Sequence, residues 1–386
     1  MNKQSQIRRT GYEKNVTTIA PYTFMPASSG GQRAVFYLDQ YLGKRVALIC
    51  VSTNGNDTSG LKEPLQFQLL PKLGSGLKRY INPGHFFSLK KIIKDNKTDV
   101  LIIEHPYMGW LGWLLKATLG VPLVIRSHNI EAIRFKALGK WWWRILADYE
   151  RWVHKKASHS FFITPEDRDY AIKTYGLVHE NTTVITYGLE MNNLLTVEQK
   201  KQLVKEFKFN HQIAPDKTIL LFNGIFGYPP NDAALTLLIE EIYPALLKLD
   251  KNFHLIICGG NIPEKYKNKK TQHLSVLGFV ANIKNVFQAT EIFLNPIWLG
   301  GGIKTKLIEA LASGSAAVSF ESGAIGIPKS LIEDKLLIVA DQDIQAFTSS
   351  IMAARELINR PVPHGFLEYF DWEKIADKAL NTLRSL

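Results

Sequence analysis

The stretch 295-NPIWLGGGIKTKLIEALASG-314 sets three consecutive glycines, two lysines and a carboxylate at the start of an apolar helix. Glycines let a ligand approach the backbone closely, and a helix N-terminus offers its N–H groups to an anion. Gly301, Gly302, Lys304 and Lys306 would therefore hold a phosphate-bearing ligand, while the Glu309 carboxylate one helical turn further on is not explained by an anion site alone. A Gly-rich connector accounts for the glycines but not for the charges. The pattern G-x-x-x-x-G-K-[ST] is absent, so this is not a Walker loop. A second glycine loop, 26-PASSGGQRA-34, follows a strand-like run and opens a helix; Ser29, Gly30 and Gly31 either form a plain turn or line an acceptor or diphosphate site. His105 and His128 each end an apolar run, 99-DVLIIEH-105 and 121-VPLVIRSH-128, where a ligand contact competes with helix capping.

Elements that could position these residues alternate along the chain. Strand-like 15-NVTTIAPY-22 precedes the first glycine loop, and 33-RAVFYLDQYLG-43 has helical spacing and ends on glycine. Strands 45–52, 99–105 and 121–128 follow, the last two bridged by helix 107–120 in a βαβ unit of right-handed crossover. The second half restarts the pattern with strand 218–224, a helix 231–242 capped by Asn231, strands 253–260 and 291–296, then the opening motif, strand 316–320 and strand 336–340. Regular patterning lapses near 183–193. Two α/β domains are thus expected, 1–190 and 191–370, with a terminal helix 371–386 packing back toward the first. In open α/β sheets ligands sit beyond the carboxyl ends of the strands.

The 386 residues are 46% hydrophobic and 21% charged, as in a globular protein. Cys50 and Cys258 lie in apolar strands and are expected to be buried thiols of a reducing compartment. The segment 1–10 has no apolar h-region, and no apolar run is long enough to span a bilayer, so a cytoplasmic protein is expected. A net charge of +12 and a pI near 9.4 favour an anionic partner. No stacking platform or motif for nucleic acid is found. The segment 138-LGKWWWRILADYERWVHKKASHSFF-162 mixes four tryptophans with cations at helical spacing, which suits peripheral attachment to an anionic membrane surface on the cytoplasmic face. Asp341-Gln342-Asp343 has metal-binding spacing but precedes a helix, so capping is the expected role.

Together 300-GGGIKTKLIEALASGSAAVSF-320, 322-SGAIGIP-328, 26-PASSGGQRA-34, 127-SHNIEAIR-134, 223-NGIFGYPPNDAA-234 and 370-FDWEKIADKAL-380 make the chain resemble glycosyltransferase family 4, the retaining group 1 type, in a branch acting in polysaccharide assembly. The resemblance implies an α/β fold of the GT-B type, two Rossmann-like domains with an interdomain cleft. It also implies transfer of a sugar from a nucleotide-diphosphate-sugar donor to a glycan or lipid-linked acceptor, without a metal or other cofactor. Glu309 matches the second glutamate of the family's E-x7-E motif and would bind the donor ribose, while Lys304 or Lys306 would hold the diphosphate. His128 matches the active-site histidine that contacts the donor sugar, and His105 is a candidate for acceptor binding. Gly301 stands where the family has its first motif glutamate, and 224-GIFGYPPNDAA-234 lacks the family's usual Arg and Lys, so phosphate neutralisation would fall to 304 and 306. Two other readings compete: a nucleotide-sugar epimerase on the same fold, and an inactive binding protein at the membrane.

Overall fold

A computed structural model describes residues 14–386 except 62, 192, 193, 268 and 334. The segment 1–10, judged above for a secretory signal, and part of the expected join lie outside the described residues.

The chain divides into two compact units. One comprises the chain up to Gly188 together with Phe370–Leu386, the other Leu189–Tyr369. In the first, β1 (Asn15–Ala20), β2 (Ala47–Thr53), β3 (Gln68–Leu73), β4 (Val100–Glu104), β5 (Leu123–Ser127), β6 (His159–Phe162) and β7 (Thr182–Val184) form a parallel sheet in the order β3-β2-β1-β4-β5-β6-β7. In the second, β8 (Thr218–Asn223), β9 (Phe253–Cys258), β10 (Leu274–Gly278), β11 (Ile292–Asn295), β12 (Ala316–Phe320) and β13 (Leu336–Val339) pair in parallel as β10-β9-β8-β11-β12-β13. Both are doubly wound, and in each the strand order reverses once, between β1 and β4 and between β8 and β11. Such a reversal leaves a crevice outside the carboxyl ends of the two strands, which is where open α/β sheets bind ligands.

Central strands such as β4 (VLIIE) and β5 (LVIRS) are buried throughout because helices cover both faces. Cys50 and Cys258 are buried in β2 and β9 as expected. The expected helix 231–242 begins earlier, at Pro229–Leu237, and continues as a π turn over Leu238–Ile242. Proline at the first helical position explains the shift, since its missing N–H costs nothing there. Asn231 is consequently inside the helix and not its cap.

The terminal helix Trp372–Arg384 belongs with the first unit. Its Trp372 ring stacks on Tyr37 and Tyr41 of helix Gly30–Leu42, and Arg45 pairs with Glu373 at 2.7 Å and Asp377 at 2.6 Å. Gly188 lies against the same indole: a Cβ there would fall 2.5 Å from the ring. The chain therefore returns to the first unit through close packing as well as charge.

Candidate active site

Loops after β8, β9, β11 and β12 converge at the carboxyl edge of the second sheet. Glycine makes the convergence possible. At Gly259, with φ of 143°, a Cβ would fall 1.8 Å from the Gly224 carbonyl oxygen, so only glycine fits between the β8 and β9 loops. Asn295, at the end of β11, donates through Nδ2 to Ser319 Oγ at 2.9 Å and to the Gly323 carbonyl at 3.0 Å, which ties the β12 loop to β11.

The opening motif follows β11. Gly300 (φ 81°) and Gly302 (φ 73°) occupy the left-handed region, whereas Gly301 does not, and a Cβ at Gly301 would meet nothing within 4 Å. The missing side chain at 301 is therefore not imposed by the backbone. Helix Thr305–Ala312 starts without a side-chain cap. The two lysines part company here. Lys304 Nζ folds back on its own turn, donating to the carbonyls of Gly301 at 3.2 Å and Gly302 at 2.8 Å. Lys306 Nζ crosses to the β8 loop, donating to Asn223 O at 2.8 Å and Asn231 Oδ1 at 3.1 Å above the Phe222 ring. Lys306 thus brings a cation to the very loop that lacks the expected Arg and Lys. Burial, reinforced by the Lys304 charge, lowers its pKa to about 7. An ammonium has three donors, and only two have protein acceptors within hydrogen-bond distance. Asn223 Oδ1 is buried without a partner beside it, an acceptor that a ligand hydroxyl or N–H would satisfy. Glu309, half-buried, lies in the same short helix, three residues beyond Lys306 and so on a similar face. A cavity of about 1030 Å³ bordered by Val204, Phe209 and Ile358 lies elsewhere, against Glu291 and Gly314 at the amino ends of β11 and β12, the wrong edge of the sheet for a ligand site of this fold.

In the first unit, Glu104 of β4 and Arg126 of β5 are register partners and both are fully buried, with Nη1 of the arginine 3.2 Å from each carboxylate oxygen. His128 Nε2 donates to Glu104 Oε2 at 2.6 Å. Burial, then the neighbouring His105, lowers the His128 pKa to about 3, so its ring is neutral. Burial alone would raise the Glu104 pKa; Arg126, the His128 hydrogen bond and the two histidines together outweigh it and hold the carboxyl at about 2. His105 stacks directly on His128, ring centroids 4.2 Å apart, and its Nδ1 faces Glu131 Oε1 at 3.5 Å. The two sequence-identified histidines are therefore brought together. The sequence reading gave no role to Glu104, Arg126 or Glu131, although a charge inside each of the apolar runs VLIIE and LVIRS was the available signal for the first two.

Ser29 caps helix Gly30–Leu42 in a capping box with Gln32, whose Oε1 accepts from Ser28 Oγ at 2.9 Å and Ser29 Oγ at 3.0 Å. The loop is thus a well-made helix start, with space beside Gly31. Asp343 caps its helix by accepting from Ala346 N at 2.8 Å, as expected.

Residues 28–192 match the model of Glycosyltransferase Family 4, and 217–356 match that of Glycosyl transferases group 1. A curated relative, the Escherichia coli UDP-Gal:alpha-D-GlcNAc-diphosphoundecaprenol alpha-1,3-galactosyltransferase, is 22% identical over 316 residues, 77% of each chain. Among solved structures, sucrose-phosphate synthase from Thermosynechococcus elongatus aligns over 96% of this chain and 98% of its own, with 15% identity and a TM-score of 0.72. Anabaena HepE, solved with UDP and with UDP-glucose, aligns in its UDP complex over 97% and 100%, with 13% identity and a TM-score of 0.70. The two matched segments each fall on one Rossmann-like unit, in the order and pairing of a GT-B enzyme: the chain belongs to the family 4, group 1 glycosyltransferases.

Proposed function

We propose that this glycosyltransferase moves a hexose, with retention of configuration, from a nucleoside-diphosphate sugar to a lipid-linked or glycan acceptor in the synthesis of a cell-surface polysaccharide or glycolipid. The observation that carries the reading is the reach of Lys306 across the β8/β11 switch point, which puts a cation with a spare donor where a diphosphate would meet the start of helix Thr305–Ala312. Glu309 accepts from the ribose hydroxyls and the glycine turn takes the phosphates. The leaving diphosphate gains charge in the transition state, so the same lysine aids both binding and departure. In this reading protein cations supply the charge, and a metal is not required. The E. coli relative, named for a UDP-sugar donor and a diphosphate lipid acceptor, supports UDP and a lipid diphosphate as first candidates.

The test is transfer from a panel of UDP-hexoses to a short-chain N-acetylglucosaminyl diphosphate lipid with chelator present. Product is expected only when both substrates are supplied. An absolute metal requirement would contradict the mechanism, and a modified donor formed without acceptor would favour the epimerase reading.

A lipid acceptor lies at a membrane surface. No helix among the described residues is long and apolar enough to cross one. Helix Trp143–Lys156 and the turn before it instead offer an interfacial face: Trp141 is 82% and Ile145 65% exposed, and Lys136 and Arg144 flank the Trp143 ring. Vesicles containing anionic lipid should retain the protein at low salt and release it at high salt, and Trp141→Ala with Ile145→Ser should weaken retention about tenfold or more. Equal recovery with neutral and anionic vesicles would refute the docking surface.

A further inference from the structure

His105 and His128 are stacked at the β1/β4 switch point, but their ring nitrogens are used differently. His128 Nε2 is consumed by Glu104, its Nδ1 is enclosed without a partner, and one ring face is covered by His105. His105 differs at Nε2. Its Nδ1 is also enclosed without a hydrogen bond, at ion-pair distance from Glu131 Oε1, 3.5 Å away, while its Nε2 has no hydrogen-bond partner among the described residues and is not enclosed. The His105 side chain retains 13% exposure against 5% for His128.

The supports of this arrangement are specific. Glu131 is fully buried; Arg134 Nη1 holds its Oε2 at 2.8 Å and Asn129 Nδ2 its Oε1 at 3.3 Å. Both carboxylate oxygens of Glu150 accept from the start of Glu131's helix, at the Glu131 and Ala132 amides, 2.9 and 2.8 Å away. Tyr107 stacks beside His105 with ring centroids 5.5 Å apart, and Tyr22 meets its edge at 5.4 Å. The backbone gives a second, independent indication. His105 has φ 65° and ψ 153°, a region that is essentially glycine's, and Pro106 follows it. A chain that only needed to turn here would place glycine at 105. Side chains kept in such a conformation against its cost cluster at functional sites.

We propose that His105 is the substrate-contacting histidine of the first unit and Glu131 its positioning carboxylate. Glu131 favours the proton on Nδ1, so that the Nε2 lone pair accepts a hydrogen bond from a hydroxyl of the acceptor beside the attacking one. His128, neutral and anchored by Glu104, is the floor on which that ring rests. No proton leaves the acceptor to His105 in this assignment; the ring holds a neighbouring hydroxyl and so orients the acceptor, while the departing phosphate takes the proton of the attacking hydroxyl. The assignment of the hydroxyl to an acceptor rests on the function proposed above.

Three measurements on the full chain test it. His105→Gly should leave thermal stability nearly unchanged, because the release of backbone strain offsets the lost ring contacts with His128, Tyr107 and Tyr22, whereas a histidine kept for packing alone would lower it. Diethyl pyrocarbonate, mapped by mass spectrometry, should modify His105 well before His128 and His154, both buried. With UDP-hexose and the short-chain N-acetylglucosaminyl diphosphate lipid, His105→Gly and Glu131→Gln should each lower kcat/KM for the lipid at least about tenfold, with UDP affinity unchanged. His105→Asn, which keeps a short acceptor, should recover part of that loss. A destabilised His105→Gly, or a His105 no more reactive than His128, overturns the proposal. If both of those arms agree but the lipid is not turned over by the parent protein, it is the acceptor assignment that fails, not the pairing of His105 with Glu131.

Discussion

Lys306→Met lowers the affinity for UDP by roughly 10- to 150-fold and leaves the affinity for uridine nearly unchanged. The expectation follows from one lost charge-assisted hydrogen bond, worth about 1.5–3 kcal/mol, at about 1.4 kcal/mol per factor of ten. Methionine fills the same volume and removes a cation whose depressed pKa shows that burial disfavours it, so the variant should fold at least as well as the parent. Lys304→Met has a different signature. Its ammonium sits on the carbonyls of Gly301 and Gly302, so its loss loosens the glycine turn and weakens UDP by a smaller factor. Glu309→Gln is expected to weaken uridine and UDP alike, because the contact proposed for it is with the ribose. Isothermal titration with the three variants separates these outcomes. Equal UDP affinity in all of them would move the donor site elsewhere.

Glu104→Gln destabilises the first unit by roughly 3–5 kcal/mol, because it leaves the Arg126 guanidinium buried without a counter-charge. Nε and Nη2 of Arg126 already lack partners and Nη1 has, besides Glu104, only the Ala34 carbonyl at 3.0 Å, so nothing nearby can compensate. The midpoint of thermal unfolding of that unit should fall by about 10 °C. The pH dependence carries a sign. A carboxylate whose pKa is about 2 when folded contributes stability above its unfolded value of 4.5 and loses it as pH falls toward 2. The parent should therefore lose more stability than Glu104→Gln over that window. Parallel pH profiles for the two proteins would show that the pair is not what holds Glu104 ionised.

Much of this architecture was legible in the chain itself, and its omissions have physical causes. The buried strands β1, β2, β4, β5, β8, β9, β11 and β12 announce themselves as apolar runs, because sheets covered on both faces need them. The omitted strands are short or lie toward the sheet margins: β3 (QLLPKL) carries exposed Lys72 and a proline, β6 and β7 have four and three residues, and β10 is the edge strand of the second sheet. Their pairing is decided by neighbours, not by their own pattern. The glycines and charges of 300–309 pointed to an anion site, but spacing could not tell which lysine crosses to the β8 loop. That choice depends on Asn223 and Asn231, some eighty residues upstream. Likewise His105 and His128 were visible singly, whereas the division of labour between them depends on Glu104 and Glu131, whose oxygens decide which ring nitrogen is engaged.

The donor site is the centre of the account, and proton linkage tests it most directly. Lys306 has a pKa of about 7 in the free protein, so at pH 8 it is mostly neutral. A diphosphate beside it raises that pKa, and binding then takes up protons at pH 8, approaching one as the pKa in the complex rises well above 8. Affinity should accordingly weaken as pH rises from 7 toward 9. Titration of the parent with UDP at pH 8 under chelator, in two buffers of different ionisation enthalpy, measures the uptake. The account predicts binding with proton uptake that disappears in Lys306→Met. UDP binding with no uptake, or with uptake that survives Lys306→Met, would contradict it.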